Sequence, residues 1–472
     1  MQYNREIKID NIRHFHFIGI GGIGMSGIAA LMIGLGYRIT GSDAAKTEIT
    51  LALERIGAKI TEGHRKNLPK GTQAIVVSSA IRDDNPEILA AKKAGLPIIH
   101  RAFMLSQLAR LKKTITVAGT HGKTTTTSMM AAAFESCGAG ATAVVGGILK
   151  NAGSNIKMGG GEYFIAEADE SDGSFLDFRP LATCVTNIDA DHLDHYGSLD
   201  GIKAAFIRHI FTVPFFGISA LCTDDEGVRS ILPYIPGPYL SCGINKGADW
   251  QAKNVSFSEN GTGYEAWFKG RKKGLVRLQC CGMHNVRNSL LVLAVGCYLG
   301  FPFEKLAEGL SNFRGVKRRL DRLGSAGGVD FMDDYGHHPT EIMATLAAAR
   351  EMFKGRRLTV VFQPHRYTRT RDLYREFGMA FGNADKLFIA PIYSAGETPI
   401  KGISSDLIIK SARKNGINAR PFPGVLQMIK ELAPGDVLIT LGAGDIWKTG
   451  MEIRFKMEML GMEFGNSNSM SS

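Results

Sequence analysis

The sequence predicts an α/β protein of three domains, each built on a largely parallel sheet flanked by helices. Three observations carry this. Apolar, β-branched segments alternate with helical segments along nearly the whole chain, as in strands joined by crossover helices. Twice, at 15–36 and at 114–138, a strand runs through a glycine-rich turn straight into a helix. The chain is also long, 472 residues, which predicts two to four domains.

Composition bounds the function. Hydrophobic residues make up 44%, ample for buried cores. No apolar run is long enough to span a membrane, and the polar start, MQYNREIKID, lacks a signal-peptide core. A cytoplasmic protein without a membrane partner is expected. The 7 cysteines are scattered and form no Cys-x-x-Cys pair, which argues against a disulfide framework or a zinc site. The formal charge is +11, but Lys and Arg are spread along the chain instead of clustering with aromatics. Small anionic substrates explain the excess without nucleic acid.

Taken in order, the first domain covers 1–112. The strand FHFIGI enters GIGGIGMSGIAALMIGLG, where Gly19, Gly21 and Gly24 match G-x-G-x-x-G. Asp43 follows after a second strand. This spacing presses backbone against a pyrophosphate and brings a carboxylate toward a ribose, so any nucleotide diphosphate fits. Close helix–strand packing at Gly24 explains part of the same pattern. Further strands and helices follow to 112, and Ser78 and Ser79 end one strand at its carboxyl edge, where such sheets bind ligands.

The second domain, 113–316, opens with TITVAGTHGKTTTT at 114–127. Strand, tight turn and helix start let backbone N–H groups wrap a polyphosphate at a helix N-terminus. Lys123 adds a charge for the β- and γ-phosphates, and the Thr124 hydroxyl is a hard ligand for Mg²⁺. The turn reads Gly119-x-x-Gly122-Lys-Thr, with Val117 where a longer phosphate loop has its first glycine. Two later strands deliver the acidic segments EADESDGSF and NIDADHLDHYG. From these, Glu170 and His192 are the expected partners of Thr124 in a metal site. Solvated surface is the ordinary alternative for acidic loops. An Asn260-Gly261 turn signals a hairpin. The helix in GMHNVRNSLLVLAVG carries His284, Asn285 and Asn288 in its first turns, suited to an adenine, a phosphate or plain capping.

A basic, Gly-containing linker at 313–319 leads into the third domain, 317–460, which alternates strands and helices again. Its loops DDYGHHP and PHRYTRTR are the unusual ones. Arg366, Arg369 and Arg371 in one strand-exit loop suit carboxylate or phosphate recognition. A last helix is expected at GVLQMIKELA, and a disordered tail at 461–472.

With these segments in hand, the chain resembles the Mur ligases, and among them the branch that adds L-alanine. GIGGIGMSGIA, SSAI with NPE, AGTHGKTTTT, EADESDGSF, DADHLDHYG, GMHNVRNSLLVLAVG, VKRRLDRLG, DDYGHHPTEI and PHRYTRTRDL match in the family's order. The resemblance implies Rossmann-like first and third domains around a central ATPase. It implies ATP, and two Mg²⁺ for which Mn²⁺ can substitute. ATP would phosphorylate the lactyl carboxylate of UDP-N-acetylmuramic acid, and the amine of L-alanine would attack the acyl phosphate. The ATP side would comprise Gly119, Thr120, His121, Gly122, Lys123, Thr124 and Thr125. His284, Asn285 and Asn288 would join from the second domain, with Arg319 and Asp334 from the third. The UDP side would comprise Gly21, Gly22, Gly24, Asp43 and Ser79. Lys123, His192, His337, Arg366 and Arg369 would be catalytic, the last three on the alanine side. The domains would close on binding, in a monomer or weak homodimer.

One departure is informative. Several sister ligases carry a carbamylated lysine beyond the His192 motif. Here Phe206 holds that place and Lys203 is out of register, so activity without carbon dioxide is expected. Two other readings stay open: a ligase that adds a whole tripeptide to the same UDP-sugar, and an NAD-binding oxidoreductase or non-catalytic nucleotide module.

Overall fold

The computed structural model describes residues 12–78, 80–146, 155–235, 237–258 and 261–467. Three sheets form as the alternation predicts. The first domain has strands β1 (His14–Ile18), β2 (Arg38–Asp43), β3 (Lys59–Glu62), β4 (Ala74–Val77) and β5 (Ile98–His100). Its helices are α1 (Ile23–Gly34), α2 (Glu48–Arg55), α3 (Pro86–Lys93) and α4 (Arg101–Ala109). The order β3-β2-β1-β4-β5 is parallel throughout. It reverses between β2 and β4 at β1, so the turn after β1 lies at the switch point where such sheets bind ligands.

The central sheet holds ten strands. They are β6 (Lys113–Ala118), β7 (Thr142–Val144), β8 (Ile156–Lys157), β9 (Tyr163–Glu167), β10 (Ala182–Val185), β11 (Ile218–Cys222), β12 (Tyr239–Gly243), β13 (Trp250–Ser258), β14 (Gly261–Phe268) and β15 (Arg271–Leu278). Helices α5 (Lys123–Ser136), α6 (Leu193–Tyr196), α7 (Leu199–Ile210), α8 (Glu226–Ile231), α9 (Met283–Tyr298) and α10 (Phe303–Asn312) accompany it. β6 lies between β10 and β9, parallel to both, so three successive loops gather at one carboxyl edge. The turn expected at Asn260-Gly261 falls in part outside the described residues, and Gly261 opens β14.

The third domain has β16 (Asp321–Ala326), β17 (Val329–Asp334), β18 (Leu358–Phe362), β19 (Lys386–Ile389), β20 (Ala419–Pro421) and β21 (Val437–Leu441). α11 (Pro339–Met352), α12 (Tyr367–Phe377), α13 (Asp406–Lys414), α14 (Val425–Glu431) and α15 (Ile446–Ser467) complete it. The order is β16-β17-β21-β18-β19-β20, with only the β16 edge antiparallel. Two sequence expectations change here. α14 is not the last helix, because α15 follows and runs past 461 to Ser467, where a disordered tail was expected. Its buried side, Ile446 and Ile453, packs in one core cluster with Phe331 and Leu438, while Met451, Phe455 and Met459 are exposed. With apolar residues on both faces, no amphipathic stripe marks the helix in the sequence.

The chain packs as two compact units, 1–253 with 265–276 and 287–313, and 254–264 with 277–286 and 314–472. Within the first unit one apolar cluster joins Phe15 and Met104 of the first domain to Phe175 and Phe206 of the central one. Fully burying such a side chain contributes about 1.5–3 kcal/mol. The β-branched run of α5 is accommodated by its hydroxyls. Thr126, Thr127 and Ser128 each donate to the carbonyl four residues back, at 2.9, 2.9 and 2.6 Å. Phe206 is fully buried with its ring 5.3 Å from that of Phe175. The seven cysteines are all free thiols.

Candidate active site

The phosphate loop is held from behind. Gly119 has φ +139° and Gly122, the N-cap of α5, has φ +83°, conformations that side chains resist. The segment after β10 laces the turn in place. Thr186 Oγ1 and Asn187 Nδ2 donate to the His121 carbonyl at 2.6 and 2.9 Å. The N–H groups of Thr120 and His121 donate to Asn187, and Asp189 N–H donates to Thr120 Oγ1. Two of the turn's amides are thus held by Asn187. The first-turn amides of α5 have no acceptor within the helix.

Lys123 Nζ donates to Glu170 at 2.7 and 3.0 Å and to the carbonyls of Gly119 and Thr120 at 2.7 and 3.2 Å. Burial pulls its pKa down, but Glu170 and Asp169 overcome this and raise it, so it stays an ammonium. Thr124 Oγ1 donates to Glu167 at 2.6 Å. Glu167 ends β9 in register with Val117 of β6, which aims its carboxylate at the start of α5. In the sequence Glu167 opens the acidic segment EADESDGSF without a motif of its own. Its place as the last strand residue before the loop was the available signal.

The two acidic loops meet. Tyr196 donates its hydroxyl to the Glu170 carbonyl, and His195 stands against Gly173. His192, the N-cap of α6 with φ +56°, keeps its half-buried ring 3.7 Å from Asp191. Asn288 lies against Gly122, so one residue of the α9 trio reaches the loop. Asn285 instead donates its Nδ2 to the Cys281 carbonyl four residues back, at 2.7 Å, and His284 lies against Gly282.

In the first domain, Gly21 N–H donates to Asp43 Oδ2 at 2.7 Å, and the amides of Gly19 and Ile20 donate to the Ser42 carbonyl. Asp43 therefore braces the glycine turn through one of its oxygens. Gly22 is the N-cap of α1. Arg101, at the start of α4, lies so close to Gly24 that a Cβ there would be 2.4 Å from its Nη1. The sequence reading missed this cation, a plain arginine without a motif. Ser79 lies outside the described residues.

In the third domain, Asp334 is buried and accepts from the N–H groups of Leu320 and Gly336, each at 2.7 Å. Burial pushes its carboxyl up to about 6, against the pull of Arg319. Arg319 stacks over Tyr335 at 5.5 Å and lies 3.6 Å from Glu341. His337 is held by Glu341 and Tyr335, and its ring lies 5.9 Å from that of His365, which stacks on Tyr393. The loop expected at PHRYTRTR is shorter than that segment, because α12 begins at Tyr367. Arg366, with φ +71°, is the N-cap of α12, while Arg369 and Arg371 lie on that helix. Arg371 pairs with Asp372 at the surface.

Comparison with known proteins agrees with this geometry. The Mur ligase family catalytic domain matches 14–113, the Mur ligase middle domain 117–296 and the Mur ligase glutamate ligase domain 318–444. The chain is 47% identical over 441 residues to a UDP-N-acetylmuramate–L-alanine ligase of Endomicrobium trichonymphae, covering 93% of this chain and 98% of that one. The crystal structure of a UDP-N-acetylmuramate–alanine ligase from Thermotoga maritima is similar with TM-score 0.78 at 30% identity, covering 93% and 98% of the two chains. A murein peptide ligase from Psychrobacter arcticus follows with TM-score 0.70 at 25% identity over 94% and 99%. On its phosphate loop, its paired carboxylates and these matches along its length, the chain belongs to the Mur ligase family.

Proposed function

We propose that the protein is an ATP-dependent ligase of peptidoglycan-precursor synthesis. It joins L-alanine to the lactyl carboxylate of UDP-N-acetylmuramic acid through an acyl phosphate, releasing ADP and phosphate. One observation carries the reading. Lys123 and Thr124 each meet a carboxylate at the mouth of a phosphate loop, in a chain 47% identical to an L-alanine ligase.

The residues suit the chemistry. Phosphoryl transfer needs positioning and charge neutralisation, which Lys123 and the first turn of α5 supply. The donor set of Thr124, Glu167, Glu170 and His192 is rich in hard oxygen and fits two Mg²⁺, which when bound would neutralise the phosphates. Thr124 and Glu167 already meet, while Glu170 holds the ammonium of Lys123. ATP is assigned to 119–125, Asn288, Arg319 and Asp334, with His284 and Asn285 at the start of α9. The UDP-sugar is assigned to the turn Gly21, Gly22 and Gly24 with Asp43 and Ser79, and Arg101 adds a cation for its pyrophosphate. His337, Arg366 and Arg369 are assigned to alanine. Domains at 1–112, 113–316 and 317–460, a cytoplasmic location and a monomer or weak dimer complete the proposal. Phe206, packed in the core, supports activity without carbon dioxide.

Phosphate release with UDP-N-acetylmuramic acid and ATP tests the reading, comparing L-alanine with a tripeptide acceptor. Release with L-alanine alone is expected. Preference for the tripeptide would move the protein to the murein peptide branch, and NADH binding without UDP-sugar binding would end the ligase reading.

A further inference from the structure

The proposed reaction leaves one step without a residue. L-Alanine arrives as an ammonium, and only its free amine can attack. In the third domain, His337 Nδ1 lies 3.1 Å from the Tyr335 carbonyl oxygen and 3.4 Å from Glu341 Oε2. Both neighbours are acceptors, so Nδ1 carries the proton and Nε2 is left with the ring's lone pair. The described residues place no hydrogen bond on Nε2. Glu341, in the first turn of α11, also accepts the His337 backbone N–H at 3.0 Å, so one carboxylate fixes both the ring and its backbone. Holding an N–H helix end is the ordinary role of a glutamate there, but the contact with the ring is an addition to it.

We propose that His337 is the general base that takes a proton from the alanine ammonium at Nε2, with Glu341 as its positioning residue; this rests on the ligase reading above. The groups facing the ring are Glu341 from α11, Tyr335 and Arg319 beside it, His365 beyond β18, and Arg369 from α12. Burial holds the imidazole below its usual range. Glu341 opposes this, and Arg369 and Arg319 reinforce it, so the ring is neutral at pH 7 and can accept a proton. The ammonium N–H bond breaks and its proton goes to Nε2. The freed electron pair forms the C–N bond to the acyl carbon, and the C–O bond to phosphate breaks. Phosphate leaves with the electron pair of the broken C–O bond and takes the second amine proton. The imidazolium then returns its proton to water.

The test compares two nucleophiles on the full-length enzyme with UDP-N-acetylmuramic acid and ATP. L-Alanine needs deprotonation; hydroxylamine is already a free amine at neutral pH and traps the acyl phosphate as a hydroxamate. His337→Gln should lower kcat for L-alanine about 100-fold, with KM little changed and hydroxamate formation near the parent rate. The acid limb of kcat/KM for alanine should vanish in that variant. Glu341→Gln should move the limb to lower pH, because removing the carboxylate lowers the imidazole pKa. Equal loss with both nucleophiles, or a loss confined to KM, would overturn the proposal. Failure of the parent enzyme to form hydroxamate or ADP would instead overturn the ligase reading itself.

Discussion

Gly119→Ala tests the phosphate loop at its tightest point. Gly119 has φ +139°, and holding an alanine there costs on the order of 1–3 kcal/mol. The new Cβ would stand 1.9 Å from Thr186 Oγ1 and 3.1 and 3.2 Å from the backbone nitrogens of Thr186 and Asn187. The hydroxyl can rotate away, but it then gives up its 2.6 Å bond to the His121 carbonyl, worth about 1 kcal/mol. The backbone nitrogens cannot rotate away. The sum is roughly 2–4 kcal/mol. The least costly response is a shift of the loop, and misplacing reacting groups by about 1 Å costs around 100-fold in rate. Expected outcomes are a lowered Tm and a fall of about two orders of magnitude in kcat/KM for ATP, read by thermal unfolding and coupled ADP release. The double variant Gly119→Ala/Thr186→Ala should be about as stable as Gly119→Ala, because the bond to the His121 carbonyl is lost in both and the backbone strain persists. A Gly119→Ala enzyme with parental Tm and kcat/KM would refute this account of the loop.

Lys123→Ala should lower turnover by two orders of magnitude or more. It should also destabilise the fold, because the buried Glu170 would lose its partner. Adding Glu170→Gln should restore Tm but not turnover, and Tm unchanged in the single variant would count against the pairing. Asp334 gives a pH signature. Its carboxyl is pushed up to about 6 by burial from an ordinary 3.8, so the fold binds the proton more tightly than the unfolded chain. Its contribution to stability should therefore fall as pH rises from about 4 to 6, by on the order of 2–3 kcal/mol. The Tm difference between the parent and Asp334→Asn should follow that slope, and a rise with pH would show the sign to be wrong. Phe206→Lys should unfold or strongly destabilise the central domain, since it buries an ammonium and removes an aromatic worth about 3–5 kcal/mol. A soluble variant whose activity required carbon dioxide would contradict the packing described here.

The elements legible in the sequence share a trait: their grammar is local. A β-branched strand, a glycine turn and a helix start stand side by side in the chain, so both glycine loops could be placed from the residues alone. α15 was missed because its two faces are both apolar. The helix from Arg369 onward was legible in the sequence, and α12 begins only two residues earlier, at Tyr367. Arg366 alone stands outside α12.

The sequence by itself determined the three-sheet α/β architecture, the phosphate loop at Gly119–Lys–Thr124 and the acidic segments that serve it. Strand alternation and turn chemistry depend on neighbours within a few residues. Only the tertiary structure decided which carboxylate serves which group. Glu167 and Glu170 lie three residues apart in one acidic run, and the β6–β9 register, Val117 opposite Glu167, is what puts the first on Thr124 and leaves the second to Lys123. Arg101 comes to Gly24 and Asn187 takes two amides of the loop for the same reason. Such choices are set by how strands and helices dock over long sequence separations, and no local pattern encodes that geometry.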